Sequence, residues 1–248
     1  MGINWVQSRK GLSMAAFMER YGAEEKCHAA VVALRRPNGF VCPACGETRH
    51  FTFERKRLTY WPYSACRDQT AVMCGMIFES NKLPLTTWFL AMHLMTQTRN
   101  RVLAVELKRH LGVRYKTAWL LKHKPMQVMR EREESRQLNG RGEIDDAYLG
   151  CALPGGKSGR GSVNQVSFNT GLQTTETGRP LRVCLKKLEF TKEAIADLAK
   201  YAHRYLDEVE YRFNRRFDLS SILRRLLVAT VVTPHRPERF LRAAEHCG

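Results

Sequence analysis

The stretch "GRGEIDDAYLG", residues 140–150, decides how the rest of the chain is read. It follows a polar, Gly-bearing linker over 135–142, and from there the apolar positions recur with a period of two. On a strand, alternate residues share a face, so Glu143, Asp145 and Ala147 point one way and Ile144, Asp146 and Tyr148 the other. A carboxylate at the centre of a strand is disfavoured, and it is costly if buried without a partner. Two explanations fit: an edge strand whose acids pair with Lys or Arg, or a carboxylate that holds a metal ion for phosphoryl chemistry.

The same period continues downstream. "VNQVSFNTGLQT" (163–174) and "RPLRVCLKKLEF" (179–190) read as two more strands, with turns at "PGGKSGRGS" (154–162) and "TETG" (175–178). Thr191 then has the character of an N-cap, with Ala194 at N3. Ile195, Leu198, Ala199, Ala202, Tyr205, Leu206, Val209 and Phe213 form one helical stripe after it. Within that stripe Asp197 is expected to face solvent. A last helix is predicted over 219–230, and "VTPHRPERFLRAA" closes the chain.

Upstream the pattern is helical. Residues 12–34 are broken near Gly22, with Phe17, Met18 and Tyr21 on one face and Ala29, Val32 and Ala33 on the next. Helices are predicted over 83–97, 100–112 and 115–134, and Gly112 is placed as a C-terminal glycine. The short turn between the last two makes a helix-turn-helix of DNA-binding size. Its second helix carries Arg114, Lys116, Lys122, His123, Lys124, Arg130 and Arg132; Trp119, Leu120 and Val128 are expected to face a core. Arg114, Lys116, Lys122 and Lys124 are the candidate DNA contacts, against the alternative of an ordinary helical hairpin with a solvated basic face. Pro125 should kink or end the helix, since a mid-helix proline costs about 3 kcal/mol.

Between these helical parts lies the loop-rich segment 40–80. Cys42 and Cys45 form a Cys-x2-Cys knuckle, and Cys66 stands at the spacing of a second one, but Tyr63 occupies that knuckle's first position. A structural zinc site wants four N or S ligands in a tetrahedron. Cys42, Cys45 and Cys66 are therefore candidate zinc ligands, with Cys74, His50 or Cys27 as possible fourth donors. The alternative is a ribbon without metal, its cysteines simply buried thiols.

Composition bounds the partners. The chain has 248 residues, 44% hydrophobic, with 41 Lys+Arg against 24 Asp+Glu and a net charge of +17. This supports real cores and favours a polyanionic partner, nucleic acid first, because basic side chains displace counterions from phosphates. No apolar run approaches the ~20 residues of a membrane span, and the N-terminus has no secretion signal. The eight cysteines are then expected to be cytosolic thiols or metal ligands.

Taken in order, "CPACG", "RDQT", "LPLTTWFLAMHLM", "LKRHLGVRYKTAWLLKHKPMQVM", "GEIDDAYLG", "GGKSGRGS", "QTTETGRPLRVCLKKLEFTKEAI" and "YRFNRRFDL" closely resemble bacterial insertion-sequence transposases of one class. Those proteins carry a zinc ribbon, a helix-turn-helix and an RNase H-like DDE-type catalytic domain. The resemblance implies an α+β or α/β chain with a helical segment over 1–39, a ribbon over 40–80, a helix-turn-helix region over 81–134 and an RNase H-like domain over 142–248. It implies Asp145 as the first catalytic carboxylate and Mg²⁺ ligand, and Cys42, Cys45 and Cys66 as ligands of a structural Zn²⁺. It also implies double-stranded DNA as partner, at terminal inverted repeats and with copies assembling on it, and a cytoplasmic, nucleoid-associated location.

The chain departs from the family's pattern after Glu193. It passes from "EAIADLAK" straight into "YAHRYLDEVEYRFNRRFDL", which in the family follows the third catalytic motif. A fourth strand with its Asp and a later Asn-, His- or Glu-bearing helix are missing, and Cys151 stands where the family has a second Gly. An internal deletion, or a frame error in the source sequence, accounts for this. The expectation is a catalytically defective transposase, with a non-catalytic DNA-binding remnant, an inhibitor of intact copies, or a basic zinc-ribbon module as alternatives. An open sheet edge and marginal stability after residue 142 should follow.

Overall fold

The computed structural model describes residues 9–39, 53–55, 58–62, 69–79, 82–98, 101–134, 136–149, 166–187 and 196–243. They form a mixed α+β chain that divides into two compact units. The predicted turn at 154–162, the Thr191 cap and Cys151 fall outside the described residues, as do the side chains of Ile195 and Asp197.

One unit comprises Leu12–Lys122 together with Leu223–Arg236. Helix α1 (Met14–Tyr21) starts at Ser13, whose hydroxyl accepts from the Ala16 N–H at 3.2 Å, and stops at Gly22. A Cβ on Gly22 would sit 2.4 Å from the Met18 carbonyl oxygen, so no larger residue fits that stop without a shift. Helix α2 (Glu24–Arg35) presents Glu24 to the first turn of α3 (Leu85–Gln97). The Glu24 carboxylate accepts from the Leu85 and Thr86 N–H groups at 2.7 and 3.0 Å and caps a helix that has only Pro84 at its own N-cap. Phe17, Tyr21, Phe89 and the buried His93 pack as an aromatic cluster, with Phe17 and His93 centroids 4.5 Å apart. The face assignments for 12–34 need correcting. Phe17 is buried, but Met18 is exposed, and in α2 the inward residues are Cys27 and Val31 rather than Ala29, Val32 and Ala33.

The same unit holds a small antiparallel sheet, β1 (Phe53–Arg55), β2 (Leu58–Pro62) and β3 (Gln69–Ala71). Phe53 pairs with Tyr60 and Pro62 with Gln69, so the chain enters β1, leaves β2 and enters β3 at one end of that sheet. Arg35 of α2 donates to the carbonyls of Val72 and Cys74 and so holds the chain leaving β3. Met76, Ile77 and Phe78 then turn inward. Helix α4 (Ala104–Leu111) is capped by Glu106, which accepts from the Leu103 N–H at 2.7 Å, and ends at Gly112 with φ 63°, the left-handed conformation expected of it. Helix α5 (Tyr115–Glu134), which belongs to this unit as far as Lys122, has the predicted bounds, and of the two outcomes expected at Pro125 the helix does not end there. Residues 121–129 are buried throughout, and packing on that scale outweighs one lost backbone hydrogen bond.

The other unit comprises Met1–Gly11, His123–Ile222 and Pro237–Gly248. Strands β4 (Gly142–Leu149), β5 (Val166–Thr174) and β6 (Pro180–Lys187) form an antiparallel sheet in that order, as the period-two pattern required. The Thr175–Gly178 turn joins β5 to β6, with Gly178 at φ 77°. Asp145 pairs with Thr170 and Thr170 with Leu185, which puts Asp145 and Glu143 on the sheet face of Leu172, Val183 and Leu185. That face packs against α6 (Ala196–Phe213) through Leu206 and Phe213. Helix α8 (Glu238–Ala243) belongs to this unit, whereas α7 (Ile222–Val232) belongs from Leu223 on to the first. The α6 stripe is only partly right: Leu206 is buried, but Val209 is 39% exposed, while Arg204, Asp207, Glu208 and Glu210 are buried.

Candidate nucleic-acid interface and acidic strand

The turn joining α4 to α5 gathers basic side chains at the surface. Lys108, Arg109 and His110 close α4, Arg114 and Lys116 open α5, and all five are exposed. Their spacing follows from local structure. Gly112 reverses the chain, and the Arg114 carbonyl accepts from Ala118 at 2.9 Å to begin the second helix. Tyr115, 53% exposed, stands among them. The arrangement can bind phosphates and offer one aromatic ring at a groove edge.

Two predicted contacts move elsewhere. Lys122 and Lys124 are only 2% and 7% exposed, so neither belongs to a solvated basic face. The reason is the continuation of α5 through Pro125: a helix buried over 121–129 takes its central lysines inward with it. Trp119 and Val128 are buried, as expected for core positions, and Leu120 is half-buried. Lys108, Arg109 and His110 are not among the sequence-predicted candidates, although a basic last turn before a C-terminal glycine marks them in the sequence.

The acidic stretch lies at a sheet edge. Glu143, Asp145 and Asp146 are all exposed. Asp145 Oδ1 accepts from the Asp146 N–H at 2.8 Å, and Tyr148 Oη lies 3.4 Å from Asp146 Oδ2. Among the described residues, no three His, Cys, Asp or Glu side chains approach closely enough to share a metal ion. Asp145 alone is a poor fit for the two-ion chemistry implied for it, because such ions need several oxygen ligands converging from different elements.

Cys42, Cys45, Cys66 and His50 lie outside the described residues, so their geometry as zinc ligands is not described. Two of the possible fourth donors are described. Cys27 is buried, its Sγ donates to the Tyr21 carbonyl at 3.2 Å, and burial with Glu24 and Glu25 nearby pushes its thiol up to about 12. Cys27 thus packs inside its unit, hydrogen-bonded to the end of α1. Cys74 is exposed, in the segment held by Arg35.

The strongly perturbed acids sit elsewhere, on α6. Burial pushes Asp207 and Glu210 up to about 7. Asp207 Oδ2 lies 3.9 Å from Arg130 Nε, and Glu210 accepts from the Leu185 N–H at 2.9 Å. Behind them Glu133 meets Arg215 at 2.6 Å, with both side chains almost wholly buried.

Residues 22–69 match the family model of the transposase zinc-ribbon domain, of the IS1595 type. The match takes in α2, β1, β2 and the positions of Cys42, Cys45 and Cys66. The N-terminal part of the chain is therefore transposase-like. No curated protein and no solved structure matches the chain. No helix among the described residues is long and apolar enough to cross a membrane.

Proposed function

We propose that the chain is a transposase of a bacterial insertion sequence, that it binds duplex DNA through the α4–α5 corner, and that it is catalytically defective. The observation that carries this reading is the zinc-ribbon match over 22–69, followed in the chain by an exposed basic turn between α4 and α5. Residues 81–134 then serve as the DNA-binding region and 142–248 as what remains of an RNase H-like domain. The partner is the terminal inverted repeat, on which copies assemble, and such a protein works at the nucleoid in the cytoplasm. Each phosphate bound adds roughly −0.9 to the slope of log affinity against log salt on B-DNA. The variant Arg114→Ala/Lys116→Ala should bind inverted-repeat duplex more weakly and flatten that slope by about 0.9 for each phosphate it no longer neutralises. Affinity and slope that both stay unchanged would place the DNA on another surface.

Zinc belongs to the same reading. In sequence Cys45 precedes β1 and Cys66 falls between β2 and β3, and β1 starts and β2 ends at one end of the sheet. A knuckle there would bring Cys42, Cys45 and Cys66 to one structural Zn²⁺. Metal analysis of the purified chain should find zinc that is lost in Cys42→Ser. Stoichiometric zinc retained in that variant rejects the ligand set.

A second reading is a non-catalytic DNA-binding remnant that occupies transposon ends or inhibits intact copies. Asp145 would be the first carboxylate of a Mg²⁺-dependent site, and among the described residues it belongs to no group of three His, Cys, Asp or Glu that could hold a metal ion. The expected result with Mg²⁺ or Mn²⁺ and end-bearing DNA is no nicking and no strand transfer. Cleavage that disappears in Asp145→Ala would show that other groups complete the site.

A further inference from the structure

The α4–α5 corner carries one group that phosphate binding does not need. Tyr115 is the first residue of α5, and it is 53% exposed between the exposed Arg114 and Lys116. Among the described residues, no hydrogen bond or ring contact engages its side chain, and no ion pair engages the side chains of Lys108, Arg109, His110 or Arg114. From Leu107 to Arg130 the chain has no Asp or Glu, so no acid close in sequence neutralises the corner.

Helical spacing places the ring. Positions 115, 118, 119 and 122 share one face of α5, and Ala118, Trp119 and Lys122 are buried. Tyr115 is thus the N-terminal member of the inward stripe, at the point where the core gives out. Side chains on a helix lean toward its N-terminus, so the exposed part of the ring belongs to the corner itself. Its other part is covered, and with two side-chain torsions it has little freedom to lose when it meets a ligand. The ring has no charge to offer a phosphate. Its apolar face suits a base edge, the thymine methyl above all.

We infer that Tyr115 is a base-contacting residue, which supplies sequence preference while the cations around it supply affinity. The inference rests on the DNA-binding reading of this corner and deepens it. Cations on phosphates position a duplex without reading it, and sequence is read at base edges in a groove. Lys108, Arg109, His110 and Arg114 precede the ring and Lys116 follows it, so a duplex held by these groups presents a groove to Tyr115.

Anisotropy with the full chain tests this, using a labelled inverted-repeat duplex and a scrambled duplex of equal length and composition. The parent should prefer the inverted repeat. Tyr115→Ala should lower that preference about tenfold, the scale of one base contact. It should leave scrambled-duplex affinity and the salt slope unchanged, because no phosphate contact is lost. Tyr115→Phe keeps the ring and should keep the preference. An unchanged preference in Tyr115→Ala, its loss in Tyr115→Phe, an equal loss on both duplexes, or a parent without preference overturns the inference. Arg114→Ala/Lys116→Ala separates the two levels, since it should weaken both duplexes alike and flatten the slope. If it changes neither, the DNA-binding reading of the corner fails and the inference with it. If it acts as expected while Tyr115→Ala keeps the preference, the inference alone fails.

Discussion

Replacing Arg215 with methionine is expected to destabilise the unit around the β4–β5–β6 sheet by about 3–5 kcal/mol, the cost of leaving one member of a buried ion pair alone. The partner left behind is Glu133, 3% exposed, which meets Arg215 at 2.6 Å and accepts from Asn214 Nδ2 at 3.1 Å. Arg136 lies 3.6 Å from Glu133 but is more exposed, so it does not replace the lost guanidinium. Taking both charges away removes the desolvation cost together with the attraction. Glu133→Met/Arg215→Met should therefore be clearly more stable than Arg215→Met alone, by ~2 kcal/mol or more. Urea unfolding of the single and double variants measures this. A single variant within ~1 kcal/mol of the parent would mean that water or Arg136 already serves Glu133.

Period-two alternation makes the strands legible, because a half-buried strand must show it. β4, β5 and β6 appear where the pattern puts them, as do the α4 end at Gly112 and the Thr175–Gly178 turn. What the pattern cannot carry is burial of charge. Lys122 and Lys124 read as surface groups in sequence because charged side chains are mostly exposed. Their burial depends on what packs around α5, and periodicity says nothing of that. The Glu133–Arg215–Asn214 network is invisible in sequence for the same reason: Glu133 lies 81 residues from Asn214, and all three look like ordinary polar residues. At the acidic strand the residues can be placed on a face, but whether ligands join Asp145 depends on elements beyond β4. The zinc ligands are legible only as spacing, and the match over 22–69 agrees with that spacing at the level of the domain.

Raising the pH from about 4 to about 7 is expected to weaken the same unit through Asp207 and Glu210. Ordinary carboxyl groups in the unfolded chain titrate at about 4. In the folded unit, burial moves both acids up to about 7, with each also raised by neighbouring carboxylates. Arg130 pulls Asp207 back only partly from 3.9 Å, and the Leu185 N–H does the same for Glu210. Between these limits the folded state holds more protons than the unfolded state, so unfolding free energy falls as pH rises. The contribution is fully present below about pH 4 and lost through pH 7, the reverse of a carboxylate held by a salt bridge. For Asp207 the loss is roughly 2–4 kcal/mol at one pKa unit per ~1.4 kcal/mol. Glu210→Gln isolates the effect, since its amide oxygen can still accept from Leu185 while no proton need be lost. That variant should match the parent near pH 4 and exceed it in stability at pH 8, with Asp207→Asn behaving alike. Thermal unfolding at the two pH values decides it. Parent and variants that change in parallel would show that water reaches α6 and that these acids ionise at little cost.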